Sequence, residues 1–431
     1  MPNAESLRAE RFLRVHKYAL VFLACSLAAT LLLKIASIQY LELIFAADFL
    51  LLLWMFAKND LRMRVFRPFA SIGTSYLIFM AAALVLAVFA LRQQFDTIAV
   101  PPLQRPLIVT VSRVVELFLD AFYMLYLANL FREDERLCAF GAKVYLWTGV
   151  ASGLFSIAEF FLSTFAGFDP SGKRFHGFLN EGGPYGVYLL SLFALCFAMR
   201  RRGWLSRKKM YAALIVFTIS LIGSQSKAAF FALALLGIVY LVWMLHGWKR
   251  VALLSTFGVL VVAASIVLDL PARMEQYSQA VAIYTQLSNL RAEDANVVKG
   301  RIAGAVLAPR MIKEHPLAGV GWGFYPLVRD QPEYRQGAAF EETFGDAPSL
   351  GPIDYIVDLG IPLWMYMMWI LSKPVYFLRR YHADARVLAL AAMQPIANLC
   401  GAHLNLTYTW IAAALAMGMG FGRRAIEETA A

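Results

Sequence analysis

Charge is what this chain has least of. Only 16% of its 431 residues are charged, against 60% hydrophobic, and the mean hydropathy is +0.59. A soluble protein cannot bury that much apolar surface. Cysteine is scarcer still. Cys25, Cys138, Cys196 and Cys400 lie in or beside apolar runs, which excludes a disulfide framework and a CxxC site. The six histidines are scattered, with no pair at metal-ligand spacing, so neither a zinc centre nor any other cofactor is expected. The chain has no GxxxxGKS/T phosphate loop and no GxGxxG opening a helix after a strand, which disfavours chemistry driven by a bound nucleotide. The basic leader MPNAESLRAERFLRVHKY lacks a small-residue cleavage site behind a short apolar core, so the first apolar span is expected to stay as an uncleaved anchor.

What the chain has in abundance is long apolar runs. Crossing about 30 Å of hydrocarbon takes roughly 17–25 helical residues. Such runs fall near residues 18–33, 37–57, 70–91, 107–131, 142–166, 184–199, 210–223, 228–246, 251–270, 352–372, 387–406 and 408–422. The expected fold is an all-α polytopic membrane protein of about twelve transmembrane helices. It divides into residues 1–270 with nine spans, a large outer loop over 271–350 carrying short helices, and 351–431 with three spans and a tail.

The net charge of +11 is distributed as a topology signal. Arg8, Arg11, Arg14 and Lys17 precede the first span, and Arg200 to Arg202 with Arg207 to Lys209 follow the sixth. Every even-numbered span exits into a basic segment, which puts both termini in the cytoplasm. The loop 271–350 then lies outside, near neutral with eight Lys and Arg against nine Asp and Glu. A nucleic-acid binder needs its basic residues on one accessible surface, so nucleic acid is not an expected partner.

Charged residues inside apolar spans are costly and usually face a cavity or a partner. Arg113, Glu116 and Asp120 share one helical face in the fourth span, which reads as a structural ion network or as a cavity wall. In the deduced orientation Glu42, Arg113, Glu159, Asp354, Asp358 and His403 fall in the outer half of the membrane, as for a polar cavity opening away from the cytoplasm.

Three outer segments each offer a cation. The glycine-rich stretch DPSGKRFHGFLNEGGPYG, 169–186, carries Arg174, and the turn GSQSKAA carries Lys227 behind Ser224 or Ser226 as helix N-cap. In the long loop, apolar spacing over Val298, Ile302, Val306 and Met311 predicts a helix bearing Arg301, with Arg310 beginning the turn beyond Pro309. The glycine-rich GVGWGFYP follows, 319–326. Guanidinium groups grip phosphate oxygens through paired hydrogen bonds, so a diphosphate suits Arg174, Lys227, Arg301 and Arg310, unless the last two sit on a solvated helix face.

Four segments resemble the O-antigen ligase and polymerase superfamily of bacterial glycan-assembly membrane proteins. They are RFHGFLNEGGPYG, GSQSKAAFFAL, GRIAGAVLAPRMIKEHPLAGVGWGFY and APSLGPIDYIVDLGIPL, within residues 140–375. The resemblance implies a GT-C-like fold and an inverting, metal-independent glycosyltransferase in the bacterial inner membrane. It implies membrane lipid and a polyprenyl-diphosphate-linked glycan as partners, the diphosphate held by Lys227 and Arg301 with Arg174 from the preceding outer loop. A chain-length regulator or flippase is a candidate protein neighbour. Lys227 stands where the family often has arginine, and Ser349 stands where a ligase has its catalytic histidine.

Attack by a sugar hydroxyl on an anomeric carbon needs a base and stabilisation of the leaving diphosphate. Outer-side bases are Asp354, Asp358, Glu181, Glu342, His315 and His403, of which Asp354 and His403 come from spans lining the inferred cavity; Asp358 reads as structural. Trp322 and Tyr325 are acceptor-stacking candidates that could equally pack the loop at the bilayer interface. The missing histidine favours a polymerase of O-antigen or exopolysaccharide over a ligase acting on lipid A core or protein, with an anion transporter as the alternative of another class. As a test of topology, a reporter active only outside the cytoplasm should be active when fused after residue 173 and inactive after residue 205; the reverse pattern would refute the orientation.

Overall fold

A computed structural model describes residues 4–28, 34–35, 38–57, 66–90, 106–165, 174–179, 182–244, 255, 301–328, 334, 352–400 and 406–422. Helices dominate: α1 (Ala4–Leu27), α2 (Tyr40–Ala57), α3 (Arg67–Ala90), α4 (Pro106–Glu133), α5 (Glu135–Phe165), α6 (Gly182–Arg201), α7 (Arg207–Ser224) and α8 (Lys227–Met244) come first. They are followed by α9 (Arg301–Glu314), α10 (Tyr325–Val328), α11 (Pro352–Arg380), α12 (Ala385–Leu399) and α13 (Thr407–Gly420). Two-residue strands, β1 (Lys34–Ile35) and β2 (Ile38–Gln39), pair antiparallel ahead of α2.

Eleven of the twelve expected apolar segments coincide with helices, and the ninth, 251–270, falls outside the described residues apart from residue 255. Among the described residues five helices are long and apolar enough to cross a membrane, within α3, α4, α5, α6 and α11. The largest departure from expectation is α1. It begins at Ala4 rather than near residue 18, because the leader is rich in Glu, Arg and Leu, good helix formers that extend the apolar segment backwards. Large apolar side chains such as Leu77, Val88, Leu154, Leu162, Ile215 and Trp369 stand exposed on these helices. Such faces suit hydrocarbon, and with the long apolar helices they identify a membrane-embedded protein.

The chain forms two compact units, one of 1–74, 117–240 and 371–431, the other of 75–116 and 241–370. In the first, α12 packs on α13 and α6, α6 on α7, and α1 on α5. Helices in lipid gain little from apolar burial alone, so close packing at small residues and interhelical hydrogen bonds hold them. Gly149 lets Leu192 press on α5, and Gly418 lets Phe131 press on α13. Tyr145 donates to the Tyr408 carbonyl at 3.1 Å, and Tyr408 donates to the Pro184 carbonyl at 3.1 Å, tying α5, α13 and α6 together.

The same unit buries a polar network that links three helices. Asp48 of α2 lies 3.2 Å from His16 Nε2 of α1 and accepts from the Tyr123 hydroxyl of α4 at 2.7 Å. The Tyr123 ring stacks on Phe45 at 4.0 Å between centroids. Asp48, an acid inside an apolar span, is thus an anchor with partners on both sides. Asp48→Ala would strand His16 and leave the Tyr123 hydroxyl with only the Phe45 carbonyl, 2.8 Å away, and breaking such a buried set costs about 3 kcal/mol. A marked fall in the thermal unfolding midpoint in detergent is expected, and an unchanged midpoint would refute the anchoring role.

Candidate functional site

Within the second unit, the glycine-rich turn is built onto a break in α11. At Gly360 the backbone takes φ 72° and ψ 165°, so the helix stops hydrogen bonding regularly eight residues after its start. Freed backbone groups in a membrane span must find other partners. The segment after α9 supplies them: Val320 N–H donates to the Val357 carbonyl and Gly321 N–H to the Asp358 carbonyl, each at 2.9 Å. Ile361 N–H donates to the Pro316 carbonyl, also at 2.9 Å.

Two glycines make that approach possible. Gly319 has φ 63°, and a Cβ there would collide with the Asp358 backbone; a Cβ on Gly360 would collide with the Leu317 carbonyl. Both demands fit glycine alone.

The Asp358 side chain completes the junction. Its Oδ2 accepts from Gly323 N–H at 2.7 Å and its Oδ1 from Tyr325 N–H at 2.8 Å. The carboxylate therefore closes the turn and satisfies an orphan amide at the start of α10. With both oxygens engaged, Asp358 has the structural role its position at the head of the span suggested. Further support comes from Thr110, which donates to the Trp322 carbonyl at 2.9 Å, and from Phe79, whose ring meets Trp322 edge-on at 5.5 Å.

The residues expected to stack on acceptor sugars, Trp322 and Tyr325, are only 4% and 2% exposed. In this arrangement their rings pack the turn. Helix α9 runs through Pro309 rather than restarting after it. Arg310 is half-buried and donates to the Tyr334 carbonyl at 2.7 Å, and the His315 ring nitrogen sits 3.1 Å from the Tyr334 hydroxyl. Arg301 opens α9, and Asp354 lies in the first turn of α11, half-buried and one helical turn before Asp358. His403, Ser349, Glu181 and Glu342 lie outside the described residues.

In the first unit, the segment 174–179 and the start of α6 are strapped to the turn between α7 and α8. Phe175 N–H donates to the Gly223 carbonyl at 3.0 Å, and the Phe175 ring covers Gly223. Ser226 donates to the Gly183 carbonyl at 3.2 Å while accepting from Ala229 N–H at 3.1 Å. Ser226, not Ser224, is the cap of α8; Ser224 instead bonds back to the Leu221 carbonyl at 2.7 Å. Arg174 and Lys227, both exposed, thus stand on two chain segments that are hydrogen-bonded to each other.

On the other side the strap is held by α5. Gly177 N–H donates to Ser156 Oγ at 2.7 Å and Phe178 N–H to Ser152 Oγ at 3.0 Å. Between strap and helix opens a cleft of about 220 Å³ lined by Ser156, Glu159, Phe160, Arg174, Phe175 and His176. Inside it His176 Nε2 faces Glu159 Oε2 at 3.6 Å. The pairing of these two residues, seventeen apart in sequence across a glycine-rich segment, was not read from spacing; the serines at 152 and 156, one helical turn apart on α5, were the signal that the strap returns to that helix.

Gly319→Ala and Gly360→Ala should each lower the unfolding midpoint in detergent, since the left-handed backbone alone costs an L-residue about 1–2 kcal/mol before the collision is counted. Gly237→Ala, in the open on α8, should be neutral or stabilising. Equal effects at all three positions would contradict the docking described.

A family model described as O-Antigen ligase matches residues 211–368, just over a third of the chain, running from α7 through the glycine turn into α11. No curated protein matches the sequence.

Proposed function

We propose that this chain, whose residues 211–368 match the O-Antigen ligase family model, is a bacterial polysaccharide polymerase. It would move a glycan from a polyprenyl-diphosphate-linked donor onto a lipid-linked acceptor repeat unit, of O-antigen or exopolysaccharide, at the outer face of the inner membrane. The membrane would be crossed about twelve times, with both termini in the cytoplasm. The reaction would be inverting and independent of metal.

The observation that carries this reading is the strap joining the Arg174 segment to the Lys227 turn, which puts two cations on adjacent, mutually braced segments. A leaving diphosphate develops charge as the glycosidic bond breaks, and cations fixed before the reaction stabilise it without reorganising. Arg301 at the start of α9 is assigned to the same diphosphate, with Arg310 as a secondary contact. Ser349 in place of the ligase histidine favours a polymerase over transfer to lipid A core or protein.

Purified protein given a polyprenyl-diphosphate-linked repeat unit should produce a ladder of longer lipid-linked glycans. Product formed only after adding lipid A core or a protein acceptor would favour the ligase, and anion uptake into liposomes with no transfer would favour a transporter. Arg301→Ala and Arg174→Ala should each cut transfer by about a hundredfold or more while the protein remains inserted and monodisperse. Full activity in both would remove the cation clamp.

A further inference from the structure

The reaction proposed above needs a base for the acceptor hydroxyl, and its sequence candidates are Asp354 and His403. We infer that the Glu159–His176 pair in the cleft beside Arg174 is that base, with His176 taking the proton. The inference rests on the polymerase reading for the reaction and on the cleft for the residues.

His176 Nδ1 lies 3.1 Å from the Gly177 carbonyl, an acceptor only, so this nitrogen carries a proton and donates it there. In the neutral ring the lone pair is then on Nε2, the atom that faces Glu159. The carbonyl fixes the tautomer, as a hydrogen-bonded partner does for a histidine base. The gap of 3.6 Å between Nε2 and Glu159 Oε2 is longer than a normal hydrogen bond, so Nε2 is left open to accept the one proton of a hydroxyl entering the cleft, with the carboxylate beside it. Side-chain exposures of 31% for His176 and 41% for Glu159 leave the two reachable.

Their scaffold is pinned at three points to two elements. Gly177 and Phe178 are pinned to Ser156 and Ser152 of α5, the helix that carries Glu159, and Phe175 is pinned to Gly223. At about 220 Å³ the cleft is smaller than the roughly 300–1,000 Å³ of a whole small-molecule site, as suits a subsite for one group. Arg174 in the same lining puts a cation for the diphosphate in the cleft that holds the base.

In the step, the acceptor hydroxyl oxygen forms a bond to the donor's anomeric carbon while the bond from that carbon to the diphosphate oxygen breaks. The bonding pair leaves with the lipid diphosphate. The hydroxyl proton passes to His176 Nε2, and Glu159 stabilises the imidazolium until the proton is lost to water.

The test compares wild type with His176→Ala, Glu159→Gln, Asp354→Asn and His403→Ala, using lipid-linked repeat units extracted from the source bacterium. Positioned bases contribute about 10²–10⁴-fold, so His176→Ala should lose at least a hundredfold in turnover with the donor KM within about threefold of wild type. Added imidazole should restore at least tenfold of that loss in His176→Ala and nothing in Glu159→Gln, a rescue that a structural role would not give. His176→Gln, which keeps most of the side-chain volume, serves if the alanine variant is not monodisperse, and should show the same loss with unchanged donor KM. Near-normal turnover in either His176 variant would overturn the assignment. So would loss without rescue in His176→Ala, or a loss confined to Asp354→Asn or His403→Ala. If wild type itself forms no glycan product, the polymerase reading falls and this assignment with it, an outcome distinct from an active wild type with an active His176 variant.

Discussion

An amide left without a partner in hydrocarbon costs several kcal/mol, and the break of α11 at Gly360 is where this constraint shapes the second unit. A span can interrupt its own hydrogen bonding only if another segment completes it. The stretch from Pro316 to Tyr325 does so through three backbone bonds and two bonds to the Asp358 carboxylate. Much else in that unit follows. Glycine is required at 319 and 360 because the two backbones nearly touch, and Trp322 is drawn inward against Phe79 and Thr110. Helix α9 is thereby tethered at its C-terminal end.

The first unit solves a related problem with side chains. The strap 174–179 has no regular secondary structure, so its amides need partners supplied from outside. Ser152 and Ser156 of α5 and the carbonyl of Gly223 meet Gly177, Phe178 and Phe175 in turn. A segment held this way keeps Arg174 and His176 in place without a helix or strand of its own. Preorganisation of that kind is what stabilising a transition-state charge demands, because a cation that had to be dragged into position would lose most of its advantage.

How much of this the sequence disclosed depends on the range of the interaction. Apolar runs of span length gave most helix ends to within a few residues, since hydropathy and length are local properties. The polar flanks were the exceptions, the leader most of all, with α5 starting at Glu135 and α11 ending at Arg380, because charged helix formers extend a helix without changing the apolar count. The structural nature of Asp358 was legible from its position at the head of a span, but its two amide partners were not, since Gly323 and Tyr325 lie more than thirty residues away. The aromatic residues of GVGWGFYP were equally compatible with stacking and with packing, and only their burial separates the two in this arrangement. The serine caps carried a similar ambiguity, with Ser226 and Ser224 two residues apart and only one oriented to accept from α8.

The placement of acid and base along the chain bears on why the serine at 349 need not silence it. A proton acceptor does not have to come from the segment that carries it in a ligase; it has to stand within hydrogen-bond reach of the hydroxyl while the cations hold the diphosphate. In the reading proposed above the strap would meet both conditions in one short run, because Arg174 and His176 are two residues apart and the Ser156 bond to Gly177 fixes the backbone immediately beside the imidazole. Moving the base to this run would free the far end of the large loop from proton transfer. That segment could then serve acceptor recognition, the task that differs most between a lipid-linked repeat unit and a lipid A core. A single change of role at one loop end would separate two activities on one scaffold, with the diphosphate machinery unaltered.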